Sequence, residues 1–577
     1  MFAYQVSLVQ LVVGLGATWI TTLLITKSGS LRSALKSLGN CPGKGILLLH
    51  PFRNAAIVAG PIFPFKGMIG YYFGKFSQYR KYGSTCLSSV VLWDLRPVVW
   101  TADPEVFRVA SLDRPTFIKD VEAYEPLNIY GPNIVGTEGA EWKRHRDIAR
   151  SAFNEKNNNI VWEESIRIVN EWFDAELAGK ADGETINLLP AFTNVALLVI
   201  ASAGFGRRTP WTAASSDPEL VSYHSMNFAM ALKTTIHCLF VKALTPTPMY
   251  ALSHKIYIPW LSSVLNDTTN AFESLRKHML EIISDARAAG TTESRQNIGY
   301  PARQETTGYK IQSGLLANLV EANTFSGEDN FTGDKGRTLT DEELLSDTFI
   351  FLLAGHETSA HSLCFAALLL ALYPEVQAKV LREVTTLWPN GAPTSNSFTT
   401  FKESITKLDY TSAVIQEAIR MFPPVMRLGK LASADTHVKS KIFDSHSLKI
   451  LREIDVPIKA GSVVVLDVLG LHMNPLIWGD DVEDCKPERF IDTEGYRWPR
   501  EAFAGFSLGP RNCIGQRFAL SEMVCVLALL IRKWEVLVPV SLEGKTMEEK
   551  KSNMLDWIPG PTIIPANAGV RLKERSH

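Results

Sequence analysis

The 577-residue chain contains no Cys-x-x-Cys pair. Its seven cysteines, Cys41, Cys86, Cys238, Cys364, Cys485, Cys513 and Cys525, are odd in number and scattered. That pattern excludes the usual zinc and iron–sulfur spacings and argues against a disulfide framework, as expected for a reducing compartment. A charge excess is missing too, since 59 Lys plus Arg stand against 60 Asp plus Glu. No local basic stripe breaks the balance, so nucleic acid is not an expected partner. There is no internal repeat, and no Gly-x-Gly-x-x-Gly unit, because Gly14-x-Gly16 falls inside an apolar run. A built-in dinucleotide module is therefore not expected. Apolar matter is plentiful: 46% of residues are hydrophobic and 10% aromatic, enough core for a large globular enzyme.

Residues 7–26, SLVQLVVGLGATWITTLLIT, carry no charge. About 20 such residues are what a helix needs to cross a bilayer core, so residues 1–27 read as a single transmembrane anchor. No positive residue precedes the run and no small-x-small site closes it, which speaks against a cleaved signal peptide. Lys27, Arg32 and Lys36 follow it, and the positive-inside rule then puts the remainder in the cytosol. The sequons at Asn266 and Asn330 are accordingly expected to stay unmodified. Residues 28–65 read as a linker punctuated by proline and glycine, and residues 66–577 as the catalytic body. Short β-like runs at 88–93 and 97–100 precede long stretches of helical period. Polar segments near 289–312, 322–340, 391–400 and 433–447 read as surface loops. The expected fold class is mainly α with a small β-sheet region.

Two segments carry chemistry. The first is Phe506-Ser-Leu-Gly509-Pro-Arg511-Asn-Cys513-Ile-Gly515, followed by an apolar helical run. Gly509 permits a tight turn, and Gly515 lets the helix start close to whatever Cys513 binds. A cysteine at a helix amino end is favoured as thiolate, the form that ligates metal. Phe506 can shield the sulfur, and Arg511 offers a forked cation to a carboxylate. The second segment is Thr340-Asp-Glu-Glu343, a capping box, leading into a helix that is apolar nearly all round. Gly355 in its middle suggests close approach to the backbone. Thr358 can bond back to the Ala354 carbonyl or turn toward a ligand. His356 and His361 read as ordinary polar residues of this helix.

The cysteine segment matches Phe-x-x-Gly-x-Arg-x-Cys-x-Gly, and the chain resembles the cytochrome P-450 superfamily. The resemblance implies the cytochrome P-450 fold, haem b as cofactor and Cys513 as its iron ligand. Ala354-Gly355-His356-Glu357-Thr358 is similar to the superfamily's acid–alcohol motif, which makes Gly355, Glu357 and Thr358 the catalytic candidates. Glu417 and Arg420, then Pro487-Glu488-Arg489-Phe490, follow in the family's order. There Glu417, Arg420 and Arg489 would form a buried network under the cysteine loop. Met473 and Cys485 depart from common family residues. Trp142 and Arg146, four apart on one helix, and Lys430 would hold haem propionates together with Arg511. Lys143, Arg144 and Arg150 are candidates for docking an acidic redox partner, with a solvated face as the equal alternative.

The resemblance further implies a monooxygenase that inserts one oxygen atom from O2 into a lipophilic small molecule such as a terpenoid, sterol or fatty acyl chain. The polar loops and the carboxyl half are most similar to fungal members with biosynthetic roles, which implies secondary metabolism. Only a short tail follows Cys513, so electrons would come from a separate NADPH-dependent reductase at the endoplasmic reticulum membrane. Lining segments by analogy are residues 116–134, 226–249, 348–358, 425–428 and 560–563, with 226–249 also touching the bilayer. Two rivals remain: a non-oxygenating haem-thiolate isomerase or dehydratase, and a catalytically silent membrane haem protein. The acid–alcohol pair counts against both.

Overall fold

The computed structural model describes residues 14, 16–19, 21–22, 25–47, 50–52, 74–179, 184–212, 226–245, 249–250, 259–296, 314–328, 338–394, 400–558, 560 and 562–575. They form two compact units, Met1–Asp120 with Arg427–Leu471, and Val121–Met426 with His472–His577. The strands in chain order are β1 (Gly45–Leu47), β2 (Cys86–Val91), β3 (Pro97–Thr101), β4 (Phe117–Lys119), β5 (Thr185–Asn187), β6 (Arg427–Ala432), β7 (Thr436–Phe443), β8 (Ile450–Ile458), β9 (Val463–Asp467), β10 (Trp534–Leu537), β11 (Trp557–Ile558), β12 (Ile564–Pro565) and β13 (Gly569–Glu574).

The first unit is built on a six-stranded sheet in the order β1-β2-β3-β9-β6-β4. Its central strands are valine-rich and buried along their whole length, β9 as VVVLD and β2 as CLSSVV, which is how strands covered on both faces read. The two serines in β2 are tolerated because each has a partner. Ser89 Oγ accepts from the Trp100 indole at 2.9 Å, and Ser88 Oγ bonds the Pro42 carbonyl at 2.9 Å. The β-like runs at 88–93 and 97–100 thus correspond to β2 and β3.

Two sequence readings change in this unit. Residues 433–447, expected as a loop, contain β7, which pairs antiparallel with β8 from Thr436↔Ile458 onward. Val438, Ser440 and Phe443 are buried, with Lys439 exposed and Lys441 half-buried between them, and those polar residues disguised the strand. The stretch read as linker holds a helix at Ser28–Ser37 and the strand β1, which pairs parallel to β2. A three-residue strand has no period of its own; its hydrogen bonds come from a partner some forty residues away. Most of residues 7–26, the expected anchor, lies outside the described residues. Among those described, no single helix is long and apolar enough to cross a membrane.

The second unit is mainly helical. Six of its helices matter below: α1 (Gly139–Arg150), α2 (Glu155–Trp172), α3 (Leu188–Val199), α4 (Asp341–Leu372), α5 (Asp409–Met421) and α6 (Gln516–Lys533). α4 starts at the expected capping box. The Glu343 amide donates to Thr340 Oγ1 at 3.2 Å, and the Thr340 amide to Glu343 Oε2 at 2.9 Å. It ends before Pro374, which cannot continue the hydrogen-bond ladder, and the following helix turns away by 110°. α4 packs against α3, α5 and α6. Small sheets β5-β13-β10 and β11-β12 complete the unit. Helices Pro259–Gln296 and Gly314–Glu328 run into segments read as loops, because polar residues line helices as readily as they line loops.

Candidate active site

Every residue of α4 from Glu343 to Leu372 is buried, with four exceptions: Ala354, Gly355, Glu357 and Thr358. A helix so enclosed can expose a mid-length patch only toward a hollow. Burial pushes the Glu357 carboxyl up to about 7, poised between donor and acceptor near neutral pH. Of the two options open to Thr358, the hydroxyl takes the first and donates to the Ala354 carbonyl at 2.8 Å. Gly355 has a more ordinary reason than a ligand. A Cβ there would lie 3.2 Å from Ile200 Cδ1 and Cγ1, so the glycine admits the π-helical turn Ile200–Gly204 that extends α3. His356 bonds the Leu352 carbonyl at 2.7 Å and His361 the Thr562 hydroxyl at 3.0 Å. Burial holds His361 down at about 4, so it stays uncharged, and both histidines are the satisfied helix residues expected.

The cysteine loop is closed by its own backbone. The Cys513 amide donates to the Phe506 carbonyl at 2.8 Å, and the Asn512 amide to the Gly509 carbonyl at 3.0 Å. The turn puts Ser507 at φ +61° and Gly509 at φ +71°, so the glycine predicted to allow a tight turn does so. Gly515 is the N-cap of α6, which puts Cys513 two residues ahead of it. A Cβ on Gly515 would stand 4.0 Å from the Cys513 sulfur and 3.7 Å from the Phe153 ring, filling the space beside Sγ.

Cys513 lies deep among protein atoms, yet its side chain keeps open surface, so the sulfur also faces a hollow. Burial pushes its thiol up, against the Gly515 N–H and the Arg146 charge, which pull it down. The helix end alone therefore does not secure the thiolate. A cation on the sulfur would, since coordination deprotonates a thiol outright.

Three predicted rim residues meet beside the loop. Arg146 forks onto Asn512, donating to its carbonyl at 3.0 Å and its side-chain oxygen at 2.8 Å. The Arg146 and Arg511 guanidinium groups lie 5.7 and 4.5 Å from the Trp142 ring. Arg511 also bonds the Thr137 carbonyl and pairs with Glu138 Oε2 at 2.8 Å. Among the described residues no carboxylate pairs with Arg146, and burial lowers its pKa. Two guanidinium groups and an indole beside a partly open thiol suit a flat, carboxylate-bearing cofactor bound through a soft metal. The residues present fit haem. Lys430 lies in the first unit, buried on β6, between Lys119 of β4 and Val464 of β9.

The charged network forms as expected. Glu417 and Arg420 are fully buried on α5, and Arg420 grips Glu417 with two bonds of 2.6 and 2.9 Å. The same guanidinium donates to the His472 and Val482 carbonyls, each at 2.9 Å. Arg489 Nε stands 3.6 Å from Glu417 Oε1, while its other nitrogens bond the Trp478 and Asp481 carbonyls. Sequence reasoning missed the residue that carries the network onward. His472 Nδ1 meets the Arg420 carbonyl at 3.1 Å, and its Nε2 accepts from the Ala504 amide at 2.8 Å, just ahead of the cysteine loop. Burial and the Arg420 charge keep it neutral, down at about 3. One signal was available, a histidine shortly before the Pro487-Glu488-Arg489-Phe490 run, but nothing local ties it to α5. Arg144, expected to face outward, instead binds the Glu343 carboxylate and the Thr338 carbonyl. Lys143 and Arg150 remain exposed.

Fold and site define a mainly helical oxidoreductase that holds its cofactor through a cysteine at a helix end. The family model described as Cytochrome P450 matches residues 66–565, and the chain belongs to that family. It is 32% identical over 549 residues to Cytochrome P450 monooxygenase 124 of Postia placenta, covering 94% of this chain and 96% of that one. It is 26% identical to the phomenoic acid biosynthesis cluster cytochrome P450 monooxygenase of Leptosphaeria maculans, over 81% of this chain and 78% of that one. To Cytochrome P450 monooxygenase prx9 of Penicillium rubens it is 24% identical, over 78% and 76%. The protein is a haem-thiolate monooxygenase, of a family that uses dioxygen and a redox partner on small molecules.

Proposed function

We propose that Cys513 is the thiolate ligand of haem b and that the enzyme oxygenates a lipophilic small molecule, with electrons delivered from NADPH by a separate reductase. The observation that carries this reading is the open patch on α4, which contains the acid and the alcohol on a helix otherwise buried from Glu343 to Leu372. Bound haem supplies the redox chemistry and dioxygen activation that insert one oxygen atom into a C–H or C=C bond.

The protein's own groups do the rest. Trp142, Arg146 and Arg511 would hold the propionates. Phe506 and the closed backbone of the loop keep water from the sulfur. Glu357, near its midpoint at neutral pH, supplies protons to the hollow, and Thr358 relays them once its hydroxyl leaves the Ala354 carbonyl. Glu417, Arg420 and Arg489 brace the loop from below. One relative named for a biosynthetic cluster supports a terpenoid, sterol or acyl-chain substrate in secondary metabolism. The uncharged run at 7–26 with basic residues after it supports single-pass anchoring in the endoplasmic reticulum membrane, catalytic body in the cytosol. Exposed Lys143 and Arg150 on α1 offer a surface to an acidic reductase.

The test is the reduced, carbon monoxide-bound absorption spectrum of the wild type beside Cys513→Ala. A strongly red-shifted Soret band in the wild type alone supports the assignment, and NADPH consumption with a reductase then permits substrate screening. Folded wild type that holds haem without that band would sink it. Glycan found at Asn266 would reverse the proposed topology.

A further inference from the structure

α1 carries two stripes. Trp142 and Arg146 reach toward the cysteine loop, as described. Glu141 and His145, also one turn apart, lie beside the start of α4. His145 is fully buried, and its Nδ1 is 2.6 Å from Asp347 Oδ2. The other Asp347 oxygen accepts from the Ile134 amide at 2.8 Å, so this carboxylate acts as acceptor on both sides. With Nδ1 engaged by Asp347, Nε2 is the ring nitrogen left for another partner. That nitrogen is buried without a hydrogen-bond partner and points at Glu343 Oε1, 3.7 Å away. At that distance the imidazole nitrogen and the carboxylate oxygen make no direct hydrogen bond, and a small cation can bridge them.

We propose that Glu141, His145 and Glu343 form a binding site for a divalent transition metal, best suited to zinc, with Asp347 as the group that orients the histidine. One ligand atom from each of the three lies within 4.8 Å of the others, compared with about 3.4 Å between ligands around tetrahedral zinc, so small side-chain shifts close the site. The donor set, one imidazole and two carboxylates, suits zinc, and an imidazole whose second nitrogen donates to a carboxylate is the usual support of a metal-bound histidine. Charge also favours a dication. Glu141, Glu343 and Asp347 bring three negative charges against the single Arg144, and zinc brings the sum to zero. Exposed Glu141 gives an entry path, and water would complete the coordination. Arg144, already on Glu343, is the built-in competitor. Metal bound here would pin α1 to the amino end of α4, and α1 is the helix that carries Trp142 and Arg146.

The experiment uses full-length, haem-loaded protein stripped with EDTA and titrated with ZnCl2 against a chromophoric chelator, with zinc X-ray absorption on the loaded sample. One zinc per chain is expected, with an imidazole nitrogen and oxygens but no sulfur in its coordination shell. Glu141→Gln, at an exposed position that does not threaten folding, should weaken binding at least tenfold. Arg144→Gln, which removes the competing cation, should tighten it several-fold. A single zinc that ignores both substitutions, a sulfur ligand, or no stoichiometric uptake would each overturn the proposal; in the last case a proton or a water fills the gap between His145 and Glu343.

Discussion

Single side chains on α4 and α6 set the protein's response to pH. Glu357 sits near pKa 7 because burial disfavours its charge, and its protonated form is the proton source. Turnover should therefore fall as pH rises above about 7. Glu357→Gln should lower kcat by about a hundredfold and lose that dependence, as read from product formed per NADPH across a pH series. Glu522 on α6 has no chemistry to perform. Both its carboxylate oxygens are buried without a hydrogen-bond partner, and burial pushes it up to about 8 from 4.5. A carboxyl raised in the folded state binds its proton more tightly there than in the unfolded chain, so stability falls as pH rises from about 4.5 to 8. Denaturant midpoints at the two ends of that window should differ less for Glu522→Gln than for the wild type. Equal differences would mean the side chain is solvated.

At the scale of elements, the link that holds the site is α5 to the cysteine loop, through Arg420, His472 and Ala504. Arg420→Leu would leave buried Glu417 with only Arg489 at 3.6 Å and the Lys486 amide, at a cost of about 3–5 kcal/mol. Haem content on purification should drop with it, and a lowered denaturation midpoint without haem loss would separate stability from loop support. His472→Leu keeps the ion pair but removes both ring bonds, so it should loosen haem with a smaller loss of stability. The start of α4 is a milder case. Thr340→Ala removes one side of a capping box and should cost about 1 kcal/mol, visible in the thermal midpoint. The motif residues on α5 and in the cysteine loop were legible from spacing. His472 was not, because its two partners lie on either side of it in the chain and neither contact leaves a local pattern.

For the molecule as a whole, the site residues Trp142, Arg146, Glu357, Thr358, Glu417, Arg420, Arg489, Arg511 and Cys513 all belong to the second compact unit, while the uncharged amino-terminal run belongs to the first. Deleting residues 1–26 should move the protein from the membrane pellet to the supernatant with its carbon monoxide spectrum intact. Persistent pelleting would point to a second membrane contact, for which the exposed Trp260 and Met230 are the first residues to change.

Spacing and residue chemistry were enough to point to the family, to single out the cysteine and the acid–alcohol pair as candidates, and to place the first turn of α4, because glycines, caps and ligand types act over a few residues. Only the tertiary structure decided that Gly355 makes room for Ile200, that Arg144 turns inward to Glu343, that 433–447 contains a strand, and that His472 and His145 are buried links. Each of these depends on which distant segment packs alongside. Burial then sets the charge of a carboxyl such as Glu357 or Glu522 through the loss of its water, a quantity no single stretch of sequence contains.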